Sequence, residues 1–149
     1  MQTVPAWARA LVAAWLGLLA TVAFVAAPAA FATLARADAG RYVARVFALE
    51  AWASLTIALV LLFAEQRRAR ADAEAGRGSV MSGATLVLLG TVFCTVLSHF
   101  AIEPMMVAAR AGEGAWSFGA LHGASTVLYG IKSLAVLALA WRWQRHATS

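Results

Sequence analysis

Apolar side chains dominate four long stretches of the chain, and most acidic and basic residues lie between them. No acidic or basic residue occurs between Arg9 and Arg36, and only His99 interrupts the run between Arg77 and Glu103. Uncharged stretches longer than about 18 residues are typical of transmembrane helices. The predicted spans are roughly residues 7–31, 42–64, 79–101 and 119–141. We therefore expect an all-α membrane protein, a four-transmembrane-helix bundle built from two helical hairpins.

The distribution of arginine predicts the side of the membrane on which the termini lie. Four spans place both termini and the middle loop, residues 65–78, on one side. That side carries Arg9, Arg67, Arg68, Arg70, Arg77, Arg142 and Arg145, whereas the other side carries Arg36, Arg41, Arg45 and Arg110. Because Lys and Arg are enriched in cytoplasmic loops, we expect cytoplasmic termini, a cytoplasmic loop 65–78 and a single membrane domain over residues 1–149.

A cleaved signal peptide is the competing interpretation of the first stretch. The residues from Val25 to Ala32 are mostly small, as at a cleavage site. However, the apolar part is long for a signal peptide, and a single arginine precedes it. A retained first span is therefore the favoured prediction.

Composition agrees with a membrane protein and limits the functions that remain. The chain is 62% hydrophobic and 13% charged, with a mean hydropathy of +0.76. Soluble chains carry roughly twice that charged fraction. The net charge of +5 is explained by arginine-rich cytoplasmic loops rather than by a nucleic-acid partner. The sequence shows no glycine-rich phosphate loop, paired cysteines or nucleophile elbow, and therefore offers no catalytic residue.

Ionisable residues inside the predicted spans are the main functional candidates. Glu50 and Lys132 both lie within apolar segments, where a charge is costly and marks a site by default. His122, Ser125, Tyr129 and Lys132 share one face of the fourth helix, and Glu103 lies four residues after His99. A polar cluster in the non-cytoplasmic half of the membrane is predicted to bind or move a small solute or ion. The alternative is a purely structural pairing of Glu50 with Arg45 or Lys132.

Two other functions remain open at this point. His99 and His122, helped by Glu103, are a candidate haem or transition-metal site, because neutral imidazoles bind both. Small-residue faces such as Gly119 and Gly123 suit close helix packing. They favour a structural or assembly subunit within the lipid bilayer, including a homo-oligomer. The repetition of helix, proline, loop and arginine around Pro28 and Pro104 also raises the alternative of an internal repeat.

Two motifs carry a family resemblance. They are Phe24-Val25-Ala26-Ala27-Pro28-Ala29-Ala30-Phe31, with Ala39-Gly40-Arg41 and Phe47 following, and Glu103-Pro104 followed by Phe118-x-x-Leu121-His122-Gly123-x-Ser125. From about Ala10 to Trp141 the chain resembles the transmembrane protein 205-like family, which in bacteria is also called domain of unknown function 4149. The resemblance implies a small four-helix membrane protein, and we expect it in the bacterial inner membrane. It carries over Pro28, Glu103, Pro104, His122, Gly123 and Ser125 only as motif positions.

Overall fold

Four long helices make up the protein in a computed structural model that describes residues 3–145, and that part of the chain contains no strand. The helices are α1 (Ala6–Thr33), α2 (Arg36–Glu74), α3 (Gly83–Arg110) and α4 (Phe118–Arg145). All four are long and apolar enough to cross a membrane. The prediction of an all-α protein with four helices long and apolar enough to span a membrane is thereby confirmed for the described residues.

The helices extend beyond the predicted spans, and the predicted loop 65–78 requires correction. Helix α2 continues as far as Glu74, so most of that segment is helical. Its Ala, Glu, Gln and Arg residues have high helix propensity, and Arg68 pairs with Glu65 one turn earlier. The helix ends at Glu74, and Gly76, with a φ of +71°, turns the chain away just beyond it. The third helix begins at Gly83 rather than at residue 79, because Ser82 caps it by accepting a hydrogen bond from the Thr85 N–H.

Pro28 and Pro104 lie inside continuous helices rather than at their ends. A π-helical turn precedes each one, at Val22–Ala26 before Pro28 and at Leu97–Ile102 before Pro104. Proline lacks an N–H, and its ring clashes with the carbonyl four residues earlier. The wider π turn accommodates the ring, so the helix continues beyond it.

The helices pack as a ring in which each contacts the next and α4 closes against α1. An apolar core fills the half of the bundle near the termini; its larger members are Val12, Trp15, Leu19, Leu61, Leu88, Leu139 and Trp143. Both described ends of the chain lie at this end, because the Gln144 side chain donates to the Arg9 carbonyl. The two hairpins therefore run in the same sense.

Candidate functional site

A buried ion pair joins two helices that lie diagonally across the ring. Lys132 Nζ on α4 lies 2.8 Å from Oε1 and 3.0 Å from Oε2 of Glu50 on α2. Both residues are only 3% exposed. Of the two predicted partners for Glu50, the structure therefore selects Lys132, whereas Arg45 is exposed.

Two further side chains hold the Glu50 carboxylate. The Ser54 hydroxyl, one turn along α2, donates a hydrogen bond to Glu50 Oε1. Trp15 Nε1 on α1 donates to Ser54 Oγ at 2.8 Å. The chain Trp15–Ser54–Glu50–Lys132 thus links α1, α2 and α4. Within residues 3–145 no buried side-chain nitrogen or oxygen lacks a hydrogen-bond partner. The geometry of the pair is therefore fixed from three helices.

Tyr129 lies beside the ammonium group. Lys132 Nζ is 4.8 Å from the centre of the Tyr129 ring, within the range of a cation–π interaction. The ring also packs edge-on against Phe47 at 5.2 Å. Its hydroxyl donates to the Leu19 carbonyl at 2.9 Å, just before the π-helical turn of α1. Tyr129 therefore connects the ion pair to the irregular part of α1.

His99 and Glu103 form a second pair, away from the central one. His99 Nδ1 lies 2.5 Å from Glu103 Oε2, and both side chains are partly exposed. The His99 ring packs edge-on against Trp52 of α2 and against Phe100. Trp52 is 56% exposed, so this pair occupies the outer surface between α2 and α3. Among the described residues, no hydrogen bond connects it to Glu50 or Lys132.

The predicted polar stripe on α4 divides between two surfaces. Tyr129 and Lys132 face the bundle interior, as described above. His122 is exposed, and its ring stacks on the Phe118 ring at a centroid distance of 5.7 Å. The Arg110 guanidinium also lies over the Phe118 ring. Ser125 is partly buried and makes no side-chain hydrogen bond in the described part of the chain. Of the four residues predicted to share one face of this 28-residue helix, only Tyr129 and Lys132 therefore lie together inside the bundle.

The two histidines predicted as metal ligands have different neighbours. His99 pairs with Glu103, whereas His122 stacks on Phe118. Over residues 3–145, no group of three or more His, Cys, Asp or Glu side chains is positioned to hold a metal ion. The geometry of these residues gives no support to a metal centre.

Sequence reasoning missed Trp15 and Ser54. A tryptophan far from either membrane interface is a usable signal, because its N–H requires a partner in apolar surroundings. Ser54 lies four residues after Glu50 and so occupies the same helix face. Together these two signals indicate a polar network around Glu50.

Comparisons with known proteins identify the family alone. The family model described as Domain of unknown function (DUF4149) matches residues 10–115, which include most of α1 and all of α2 and α3, with Trp15, Glu50 and Ser54. Lys132 and Tyr129 lie outside the matched residues. No curated protein and no solved structure matches the chain. On the extent of the family match, the chain belongs to the family of unknown function DUF4149.

Proposed function

We propose that this membrane protein binds a small monovalent cation at Glu50 and exchanges it for a proton carried by Lys132. The observation that carries the proposal is the Glu50–Lys132 pair, buried to 3% exposure between helices that can cross a membrane. This proposal narrows the earlier prediction, that the polar cluster binds or moves a small solute or ion, to the exchange of a cation for a proton.

Stability alone is a weak reason to keep such a pair. Replacing a buried ion pair with well-packed apolar residues is often neutral or stabilising. Ionisable residues within membrane spans are rare and mark ion pathways or proton relays. Apolar side chains at both positions would join directly onto the core at Ala58 and Val136, both buried nearby on the same helices. A functional role for the charges accounts for their presence.

Charge balance in the bundle dictates the form of the exchange. With Lys132 protonated and Glu50 ionised, the pair has no net charge. A cation that binds the Glu50 carboxylate restores neutrality only if Lys132 releases one proton to water, which leaves a neutral amine. The Ser54 hydroxyl oxygen lies beside the carboxylate and supplies a further oxygen ligand, as hard cations prefer. One cation therefore enters for each proton released, and no net charge is buried.

The orientation of the protein follows from its arginines. We propose that both termini face the cytoplasm of a bacterial inner membrane, because the end of the bundle near Arg9 and Gln144 carries the larger number of arginines. In this orientation the Glu50–Lys132 pair lies beyond the apolar core, toward the non-cytoplasmic half of the membrane. The transmembrane protein 205-like relationship belongs to the same proposal and is supported by the Glu103-Pro104 and His122-Gly123-x-Ser125 motifs.

The test uses purified protein in proteoliposomes with an entrapped pH dye. Addition of Li⁺, Na⁺ or K⁺ outside should acidify the outside and raise the internal pH for the wild-type protein. Glu50→Gln should abolish the exchange, whereas Lys132→Met should bind the cation without proton movement. Glu74→Gln removes an exposed carboxylate from the same helix and should exchange as the wild type does.

A structural role for the pair gives a different set of results. In that case the folded wild-type protein moves no protons with any cation. The pair then contributes to thermal stability alone, so the absence of proton movement, and not the stability of the variants, distinguishes this role from cation exchange. This outcome would replace cation exchange with the assembly-subunit interpretation. Exchange by Glu50→Gln at the wild-type rate would also contradict the proposal.

A further inference from the structure

Two adjoining clefts open at the end of the bundle that carries the termini. The larger, about 640 Å³, is lined by Trp7 and by Leu59, Val60, Phe63, Ala64 and Arg67 of α2. The smaller, about 340 Å³, is lined by Thr3, Val4, Pro5, Ala8, Ala64, Glu65, Arg67, Arg68 and Trp143. Ala64 and Arg67 belong to both linings. Arg67 therefore lies where the apolar groove meets a cleft that also contains Glu65 and Arg68.

The larger cleft is an apolar groove on the outer surface of a membrane-spanning helix. Trp7, Leu59 and Phe63 are all at least half exposed. The groove follows α2 from Leu59 to Arg67, which is about 12 Å at 1.5 Å per residue. Lipid chains surround this surface in a bilayer, and a groove of this length accommodates part of one acyl chain.

Arg67 provides a positive charge at the end of that groove. Its guanidinium group lies 4.8 Å from the centre of the Phe63 ring. Among residues 3–145 it has no carboxylate partner, whereas neighbouring Arg68 is bound to Glu65. Arginine presents planar donors that match a phosphate group. The charge of Arg67 is therefore available to an anion approaching from the lipid side.

The carboxylate in the smaller cleft does not oppose an anion there. Glu65 is 3% exposed, and Arg68 donates to both of its oxygens. The Ser82 hydroxyl donates a further hydrogen bond to it at 2.6 Å. The Glu65 charge is thus compensated within the protein.

We propose that these joined clefts bind an anionic glycerophospholipid, with its phosphate on Arg67 and an acyl chain along Leu59 and Phe63 against Trp7. The complementarity of Arg67 to phosphate and the continuity of the groove with the lipid phase identify this occupant. The site is independent of cation exchange at Glu50, which lies more than two helical turns away along α2.

Native mass spectrometry in detergent tests the site with phosphatidylglycerol and phosphatidylcholine as probes. The wild-type protein should retain phosphatidylglycerol about tenfold more strongly than phosphatidylcholine. Arg67→Gln should reduce phosphatidylglycerol to the level of phosphatidylcholine. Arg70→Gln is the matched control, because Arg70 is exposed on the same helix and lines neither cleft. Its lipid preference should equal that of the wild type.

Three results would overturn the proposal. The first is an equal loss of phosphatidylglycerol in Arg67→Gln and Arg70→Gln, which indicates diffuse electrostatic attraction. The second is equal retention of both lipids by the wild-type protein. The third is displacement of the lipid by millimolar glycerol phosphate, which lacks acyl chains and would show that the groove contributes nothing. Thermal unfolding of each variant verifies that the bundle is intact.

Discussion

Glu50 and Lys132 occupy equivalent positions in the two hairpins. Glu50 lies 14 residues after Arg36, the first residue of α2 (50 − 36), and Lys132 lies 14 residues after Phe118, the first residue of α4 (132 − 118). Phe47 and Tyr129, whose rings are in contact, are separated by the same number of residues as Glu50 and Lys132. Two pairs of equivalent residues thus meet across the bundle.

Several buried residues of the four helices also lie at corresponding positions. At the spacing that separates Pro28 from Pro104, four buried residues of α1 correspond to four buried residues of α3: Ala8 to Ala84, Val12 to Leu88, Trp15 to Thr91 and Leu19 to Thr95. At the spacing of Glu50 and Lys132, buried residues of α2 correspond to buried residues of α4: Ala39 to Leu121, Ser54 to Val136, Ala58 to Ala140 and Leu61 to Trp143. The two hairpins therefore bury side chains at several corresponding positions, as the internal-repeat alternative around Pro28 and Pro104 predicts.

Exchanging the two charges should preserve the fold. Glu50→Lys or Lys132→Glu alone places two like charges together, and the loss of a buried partner should cost about 3–5 kcal/mol of unfolding free energy. The double variant restores an ion pair between equivalent positions and should recover most of that loss. Thermal unfolding in detergent measures all three variants beside the wild type. A double variant no more stable than either single one would show that the positions are not interchangeable.

Ser54 should matter more than a buried hydroxyl that bonds only to its own helix. Ser54→Ala deprives both Trp15 Nε1 and Glu50 of a partner, which should cost about 1–3 kcal/mol. Thr91→Val is the control, because the Thr91 hydroxyl bonds only to the Leu88 carbonyl. Its effect should be smaller. A double-mutant cycle with Trp15→Phe should show coupling of at least about 0.5 kcal/mol between positions 15 and 54, and strict additivity would contradict the network.

The four-helix fold was predictable from the sequence because hydropathy alone determines the number of spans. The positions at which the helices end were less predictable. Charged but helix-favouring residues extend α2 to Glu74, well past the apolar part. The pattern of helix, proline and loop around Pro28 and Pro104 places each proline at the end of its helix, whereas both lie within helices. The π turns that carry the helices past them depend on backbone geometry that no residue pattern specifies.

The candidate site was predictable only in part. A charge in an apolar stretch identifies Glu50 and Lys132, because its cost does not depend on the details of packing. The placement of His122 depends on the rotation of α4 about its axis, which is set by tertiary contacts. That rotation leaves His122 exposed beside Phe118 and places Tyr129 next to Lys132.

Tyr129 should contribute through both its hydroxyl and its ring. Tyr129→Phe removes the hydrogen bond to the Leu19 carbonyl and should cost about 1 kcal/mol. Tyr129→Leu also removes the contacts with Phe47 and the Lys132 ammonium, and its cost should be clearly larger. Chemical or thermal unfolding of the two variants separates these contributions. Equal destabilisation by Phe and Leu would mean that the ring contacts add nothing.

The proposed orientation predicts which end of the bundle a membrane-impermeant maleimide reaches in intact cells. Cys94 is buried, and Cys94→Ala provides a background without thiols. Glu74→Cys at the end of α2 and Glu113→Cys between α3 and α4 place single thiols at opposite, exposed ends. Because the arginine-rich end should face the cytoplasm, Glu113→Cys should be labelled in intact spheroplasts and Glu74→Cys only after lysis. The reverse pattern would place the termini outside and Glu50 nearer the cytoplasm, and labelling of both before lysis would indicate two orientations in the membrane.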